Sequence, residues 1–150
     1  MTEAADSGES DAMVSRGWTA GQVGDRASEE SWYRKAADIG NTLAMYRLGF
    51  IAVLAGDKAL ADSWWQKAAD LGDVDAMWRL GWTGYEKGHT TLAKLWWQKA
   101  ADLGGSKAMD GLGQIAYDAD DQDLAKSWWQ KAAALGDESA SNALAELYES

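Results

Sequence analysis

Cysteine is absent from this 150-residue chain, which removes disulfides, thiol catalysis and zinc–thiolate sites. Proline is absent as well, and the breaks in the sequence pattern fall at glycine instead. The one histidine, His89, has no second His and no Cys nearby in sequence, so it makes a poor metal ligand or general base. No apolar run is long enough to cross a bilayer. A basic stripe is missing too: the 14 Lys and Arg are scattered in a chain of formal charge -10, so nucleic acid is not an expected partner. That balance favours solubility and steers basic partners towards the protein. The first ten residues, MTEAADSGES, lack the basic and apolar regions of a signal peptide, and a cytoplasmic location is the expectation.

What is present is a hydrophobic fraction of 47%, ten tryptophans against one phenylalanine, and a repeated octet. The octet reads SWYRKAAD from Ser31, SWWQKAAD from Ser63, LWWQKAAD from Leu95 and SWWQKAAA from Ser127, each start 32 residues after the last. A period of this length marks a stack of identical supersecondary units. Extending it outward aligns further columns: Ala44, Ala76, Ala108 and Ala140; Leu48, Leu80, Leu112 and Leu144; Gly49, Gly81 and Gly113 followed by Ala145. Gly40, Gly72, Gly104 and Gly136 close the units.

Each unit reads as two helices. The first covers about Leu43 to Ala55, with Ala44, Leu48 and Ile51 on one face. Gly56-Asp57 breaks it. The second covers about Ala59 to Leu71, with Leu60, Ala61, Trp64, Trp65, Ala68 and Ala69 on a wide apolar face. Gly72 stands where a left-handed C-terminal cap is expected, and Lys67 is read as a solvated cation suited to the helix dipole. Glycine inside a helix costs about 1 kcal/mol relative to alanine. The recurrence of Gly49 therefore predicts a very close neighbour, either a helix backbone or a large Trp. The tryptophan doublets 64/65, 96/97 and 128/129 are read as inter-helix core.

The expected organisation is all-α: residues 1–10 a disordered acidic tail, then one repeat domain over 11–150. Its units are 11–42, 43–74, 75–106 and 107–138, with a capping helix at 139–150. The first unit is degenerate, because Arg16, Ser28 and Glu29 replace residues of the core columns.

These columns resemble the tetratricopeptide-type superfamily, and more closely its Sel-one-like branch. The residues that carry the resemblance are Leu48-Gly49, Gly56-Asp57 and the stretch Ala61-Asp62-Ser63-Trp64-Trp65-Gln66-Lys67-Ala68-Ala69-Asp70-Leu71-Gly72. The period is shorter than is usual for either pattern, and the proline that often ends tetratricopeptide units is missing. The resemblance implies a right-handed α-solenoid of helix-turn-helix repeats whose first helices line a concave face. It also implies a scaffold or adaptor that binds segments of other proteins. Carried over position by position, that face holds Trp18; Tyr46, Phe50 and Val53; Trp78, Trp82 and Tyr85; and Asp110, Gln114 and Tyr117. Unlike the octet, these columns vary: Tyr46, Trp78 and Asp110 share one. Invariant columns serve the stack, while varying ones are free to serve a partner. With Asp75, Glu86 and Asp118 nearby, the expected partner is a protein or peptide with apolar and basic residues.

Two apparent motifs are absorbed by the repeat. The run from Gly111 to Ala116 mimics a dinucleotide fingerprint but lies within a helix and has no preceding strand. Asp118, Asp120, Asp121 and Asp123 resemble the start of a calcium loop, but Asp123 stands where its glycine belongs and Trp129 where its glutamate belongs. No cofactor is implied. Relatives linked to hydrolysis are cysteine-rich, and no nucleophile–base pair is visible, so the expectation is a binding protein and not an enzyme. Open solenoid ends also make self-association an alternative.

Overall fold

The computed structural model describes the backbone of residues 3–149 and the side-chain environments of residues 8–149. Over these residues the chain is a succession of antiparallel α-helices joined by tight turns. The first-type helices are α1 (Glu3–Gln22), α3 (Thr42–Leu54), α5 (Val74–Glu86), α7 (Ser106–Asp118) and α9 (Glu138–Glu149). The second-type helices are α2 (Arg26–Asp38), α4 (Lys58–Asp70), α6 (Thr90–Asp102) and α8 (Gln122–Ala134). No strand occurs among the described residues, and no helix there is long and apolar enough to cross a membrane.

The turns explain the helix bounds, which fall one residue earlier than the hydrophobic spacing predicts. Asp25, Asn41, Asp57, Asp73, Asp121 and Asp137 each accept a hydrogen bond from the backbone N–H three residues on, at 2.8 to 3.1 Å. This satisfies one of the orphan donors of each helix start. The Gly-Asp dipeptide is thus a stop and a start together. Gly72 has φ +92°, its N–H donates to the Ala69 carbonyl, and the Asp73 N–H donates to the Ala68 carbonyl. That 6→1 and 5→2 pair is a Schellman cap, as expected at this glycine.

The chain divides into two compact halves, one up to Ala76 and the other from Met77. In the N-terminal half α1, α2, α3 and α4 pack in chain order around Tyr33, Ala44, Leu48, Ala61, Trp65 and Ala68, all buried. In the C-terminal half α6, α7, α8 and α9 pack likewise, and the end of that half closes around Ala116, Ala125, Trp129, Ala132 and Ala140.

The recurring glycine proves to be a seat for tryptophan. In α3 a Cβ on Gly49 would collide with the indole of Trp65; Gly81 meets Trp97 and Gly113 meets Trp129 in the same way. Each indole N–H then donates to a carbonyl three residues before the glycine: Trp65 to Tyr46 at 3.1 Å, Trp97 to Trp78 at 3.0 Å, Trp129 to Asp110 at 3.3 Å. The bond satisfies the polar edge of an otherwise buried ring. In α1 the same seat at Gly17 faces Tyr33.

Two expectations are corrected. First, α1 already begins at Glu3, so the tail expected to be disordered over residues 1–10 is helical from there on; residues 1 and 2 lie outside the described residues. Ser10 of this helix is buried, and its hydroxyl accepts a hydrogen bond from Asn41 Nδ2 at 2.6 Å. Second, the apolar face of the second helices is narrower than the sequence suggests. Leu60, Leu92 and Leu124 are 38%, 44% and 47% exposed, because the buried stripe runs through Ala61, Trp65 and Ala68, and Leu60 with Trp64 forms the next stripe outward. Lys67 and its copies Lys99 and Lys131 are exposed, in keeping with their reading as solvated cations, and each also lies over a ring. Lys67, Lys99 and Lys131 stand 4.5, 4.6 and 4.5 Å from the ring centroids of Trp64, Trp96 and Trp128, within cation–π range.

Candidate functional site

The varying first-helix columns fall into two sets. In the N-terminal half, Trp18 on α1 is 51% exposed, and the Arg47 guanidinium carbon of α3 lies 5.2 Å above its ring centroid. Tyr46 and Phe50, one turn apart on α3, meet edge to face at 5.0 Å. Phe50 in turn contacts Trp65 at 5.6 Å and 71°. Tyr46 and Phe50 are therefore half-buried extensions of the core around Trp65, while Trp18 is held by its own arginine.

In the C-terminal half the columns converge on a cavity of about 600 Å³. Trp78, Trp82 and Tyr85 of α5 form one wall, and Asp110 and Gln114 of α7 form the opposite one. Trp78 and Trp82 stack at 5.9 Å with 23° between planes, Tyr85 lies 6.0 Å beyond Trp82, and Tyr85 also contacts Trp97 at 5.6 Å. The i, i+4 spacing of Trp78 and Trp82 accounts for their shared face. Of the residues expected in a binding face, the structure thus brings five into one cavity. Tyr117 is 46% exposed but sits on Trp129 at 5.7 Å and does not line it. Val53 is 41% exposed on α3.

The polar groups of this cavity are ordered. Tyr85 donates its hydroxyl to Asp118 Oδ2 at 2.7 Å, and Gln114 Nε2 donates to Asp118 Oδ1 at 2.8 Å. The hydrogen bond to the Asp118 carboxylate raises the Tyr85 phenol above its usual range, with burial adding to it. Burial likewise holds the Asp110 carboxyl above the ordinary carboxylate range; a hydrogen bond from Ser139 opposes this, and the nearby Asp137 charge reinforces it. A desolvated carboxyl beside a second carboxyl favours a proton or an arriving cation. Lys107 supplies one cation at the rim, with Nζ 5.5 Å from the Trp78 ring centroid.

Sequence reasoning missed five lining residues: Trp97, Lys107, Gly111, Asp137 and Ser139. Trp97 counted as core. Gly111 carries a signal that was legible: its column reads Ser15, Arg47, Arg79, Gly111, so the fourth unit lacks the long side chain that the second and third keep. A Cβ on Gly111 would stand 2.6 Å from Trp97 Cε3, so the deletion also lets that indole edge close in. Among the described residues no group of three or more His, Cys, Asp and Glu is placed to hold a metal ion. His89 occupies the N-cap position of α6, and its side chain makes no capping hydrogen bond.

Comparison with known proteins places the repeats. The model of the Sel1 repeat matches residues 31–41, 42–73, 74–105 and 107–137. No curated protein matches the chain. Among solved structures, a protective antigen of uropathogenic Escherichia coli strains displaying an SLR fold superposes with a TM-score of 0.77 at 27% identity. The match covers 97% of this chain but 35% of that one, so this chain spans about a third of its length. A Sel1 repeat protein from Oxalobacter formigenes gives a TM-score of 0.77 at 24% identity, over 99% of this chain and 67% of that one. The pilF protein of Pseudomonas aeruginosa gives 0.72 at 22% identity, over 95% and 69%. The last two likenesses speak for the fold alone, an all-α helical repeat of the solenoid class.

Proposed function

Because the chain belongs to the Sel1 repeat family, we propose that it acts as a non-catalytic interaction scaffold that holds a peptide segment or partner protein against its first helices. The observation that carries this reading is the cavity between α5 and α7, where Trp78, Trp82 and Tyr85 face Asp110 and Gln114. Trp82 is 38% exposed although every second-helix tryptophan that fills a glycine seat is buried. Partly exposed Trp and Tyr at the wall of a concave site are the usual anchors of a binding surface. The carboxylates beside them, in a chain of charge -10, favour a partner with both apolar and basic residues.

The test is capture of peptides from a displayed random library by the full chain, beside a Trp78→Ala/Trp82→Ala double variant of unchanged helicity. The scaffold reading expects capture that is lost in the double variant. Capture undiminished in that variant removes the site from these residues.

A further inference from the structure

The two halves of the chain treat one pair of positions differently. In the N-terminal half, α3 places the Arg47 guanidinium carbon 5.2 Å above the ring of Trp18 on α1. Two periods on, the same two positions are Gly111 of α7 and Trp82 of α5. The ring is kept and the cation is deleted. Trp82 and Gly111 both line the cavity of about 600 Å³, and Asp110, the residue before the deleted side chain, lines it with them.

Resting on the peptide-binding reading above, we propose that this cavity receives an arginine side chain of the bound peptide, its guanidinium lying over Trp82 and forked onto the Asp110 carboxylate. The peptide's arginine replaces, from outside, the cation that Arg47 supplies to Trp18 from within the chain. A planar, weakly hydrated guanidinium suits an aromatic face on one side and a carboxylate on the other, and an ammonium cannot make the two-pronged bond. Trp78 already has cations of the chain at its ring, Lys107 Nζ at 5.5 Å and the Arg79 guanidinium carbon at 5.1 Å. Trp82 is the ring left to the guest. The charge of the cavity agrees: Asp110 and Asp137 outnumber Lys107. Asp110 is partly buried beside Asp137, so an arriving cation relieves both its desolvation and its like-charge neighbour. The space exceeds what one side chain fills, and Tyr85 and Gln114 bound the remainder, where a flanking residue of the peptide fits.

The experiment starts from peptides selected on the full chain from a displayed random library. Each is synthesised with arginine, with citrulline (the uncharged isostere) and with lysine, and its affinity is measured for wild type, Trp82→Ala and Asp110→Asn. The selected peptides are expected to carry an arginine. Its replacement by citrulline should weaken binding about tenfold or more, and by lysine several-fold. Both variants should bind the arginine peptide about tenfold more weakly and should respond less to the citrulline exchange than wild type does. Asp110→Asn, which keeps the side-chain shape, decides the matter if Trp82→Ala loses helicity. Peptides that need Trp78 and Trp82 but bind equally well with citrulline or lysine overturn the arginine assignment and leave the scaffold reading standing. A library that yields no binder, or binders indifferent to the Trp78→Ala/Trp82→Ala variant, overturns both.

Discussion

The indole of Trp97 lies against Gly81 so closely that no Cβ fits at that position, and its N–H reaches the Trp78 carbonyl at 3.0 Å. The same relation joins Gly49 to Trp65 and Gly113 to Trp129. One helix thereby carries a hole and the next carries the knob, and the 32-residue period repeats the fit.

Gly81→Ala should therefore destabilise the protein although alanine is the better helix former. The propensity gain is about 1 kcal/mol, whereas overpacking a filled site costs about 1–3 kcal/mol. The rigid indole has little room to retreat, so the balance is a net loss. Urea melts of Gly81→Ala and Gly113→Ala check the sign; a gain in either would mean that the ring can move aside.

Trp97 and Trp82 should separate core from site. Trp97 is 1% exposed, and its replacement by alanine should cost about 3–5 kcal/mol. Trp82 is 38% exposed, and Trp82→Ala should cost less than half as much. Chemical denaturation of the two variants side by side measures the difference. Equal losses would place Trp82 in the core.

The helix starts offer a stabilising change. His89 and Gly105 stand at N-cap positions where the other repeats have Asp or Asn, and neither makes a side-chain capping bond. His89→Asp should add about 1 kcal/mol and Gly105→Asp a few tenths, since glycine is itself a tolerated cap. An aspartate also suits the positive end of the helix dipole. Thermal melts compared with wild type test both.

Asp120 is the one non-glycine residue with positive φ among the described residues, at 59°, in the column of Gly24, Gly56 and Gly88. Asp120→Gly should stabilise by about 0.5–1 kcal/mol, the left-handed strain removed less the extra freedom given to the unfolded chain. Asp120→Ala should destabilise, because alanine keeps the strain and loses the local hydrogen-bonding that lets aspartate tolerate it.

Asp110 predicts a pH dependence of defined sign. Burial first, and Asp137 next among the causes that raise it, lift its native carboxyl above the unfolded value, so the native state holds the proton more tightly. Stability conferred by that protonation is fully present below the ordinary carboxylate range and is lost as pH rises through the raised native value. Wild type should thus gain on Asp110→Asn as the solution is acidified through this window. Melts of both proteins at several pH values read the difference, and parallel curves would contradict it.

Much of this was legible before any coordinate. Period, helix pairs and the Gly72 cap follow from spacing and backbone chemistry, and the recurrence of Gly49 announces a close neighbour. Which neighbour was not legible: helix backbone and tryptophan both fit the pattern, and only packing distinguishes them. The caps were half legible, since Gly-Asp marks a turn in sequence but the bond from the Leu60 N–H to the Asp57 carboxylate appears only with the backbone in place. Leu60 was misread because a helical wheel gives the direction of a side chain and not the width of the partner that covers it.

The candidate site divides in the same way. The family resemblance, carried over position by position, named Trp78, Trp82, Tyr85, Asp110 and Gln114 together with Trp18, Tyr46, Phe50, Val53 and Tyr117, and variation between repeats set these columns apart from those that the stack requires. The sequence by itself also determined the repeat, the helices and the stacking residues, all of which depend on interactions within about one period. Only the tertiary structure decided that Gly111, Trp97, Asp137 and Ser139 line one cavity with Trp78 and Trp82, and that Tyr117 does not. Those facts depend on which side chains from neighbouring helices share a volume, and a volume between helices is not a property of any one of them.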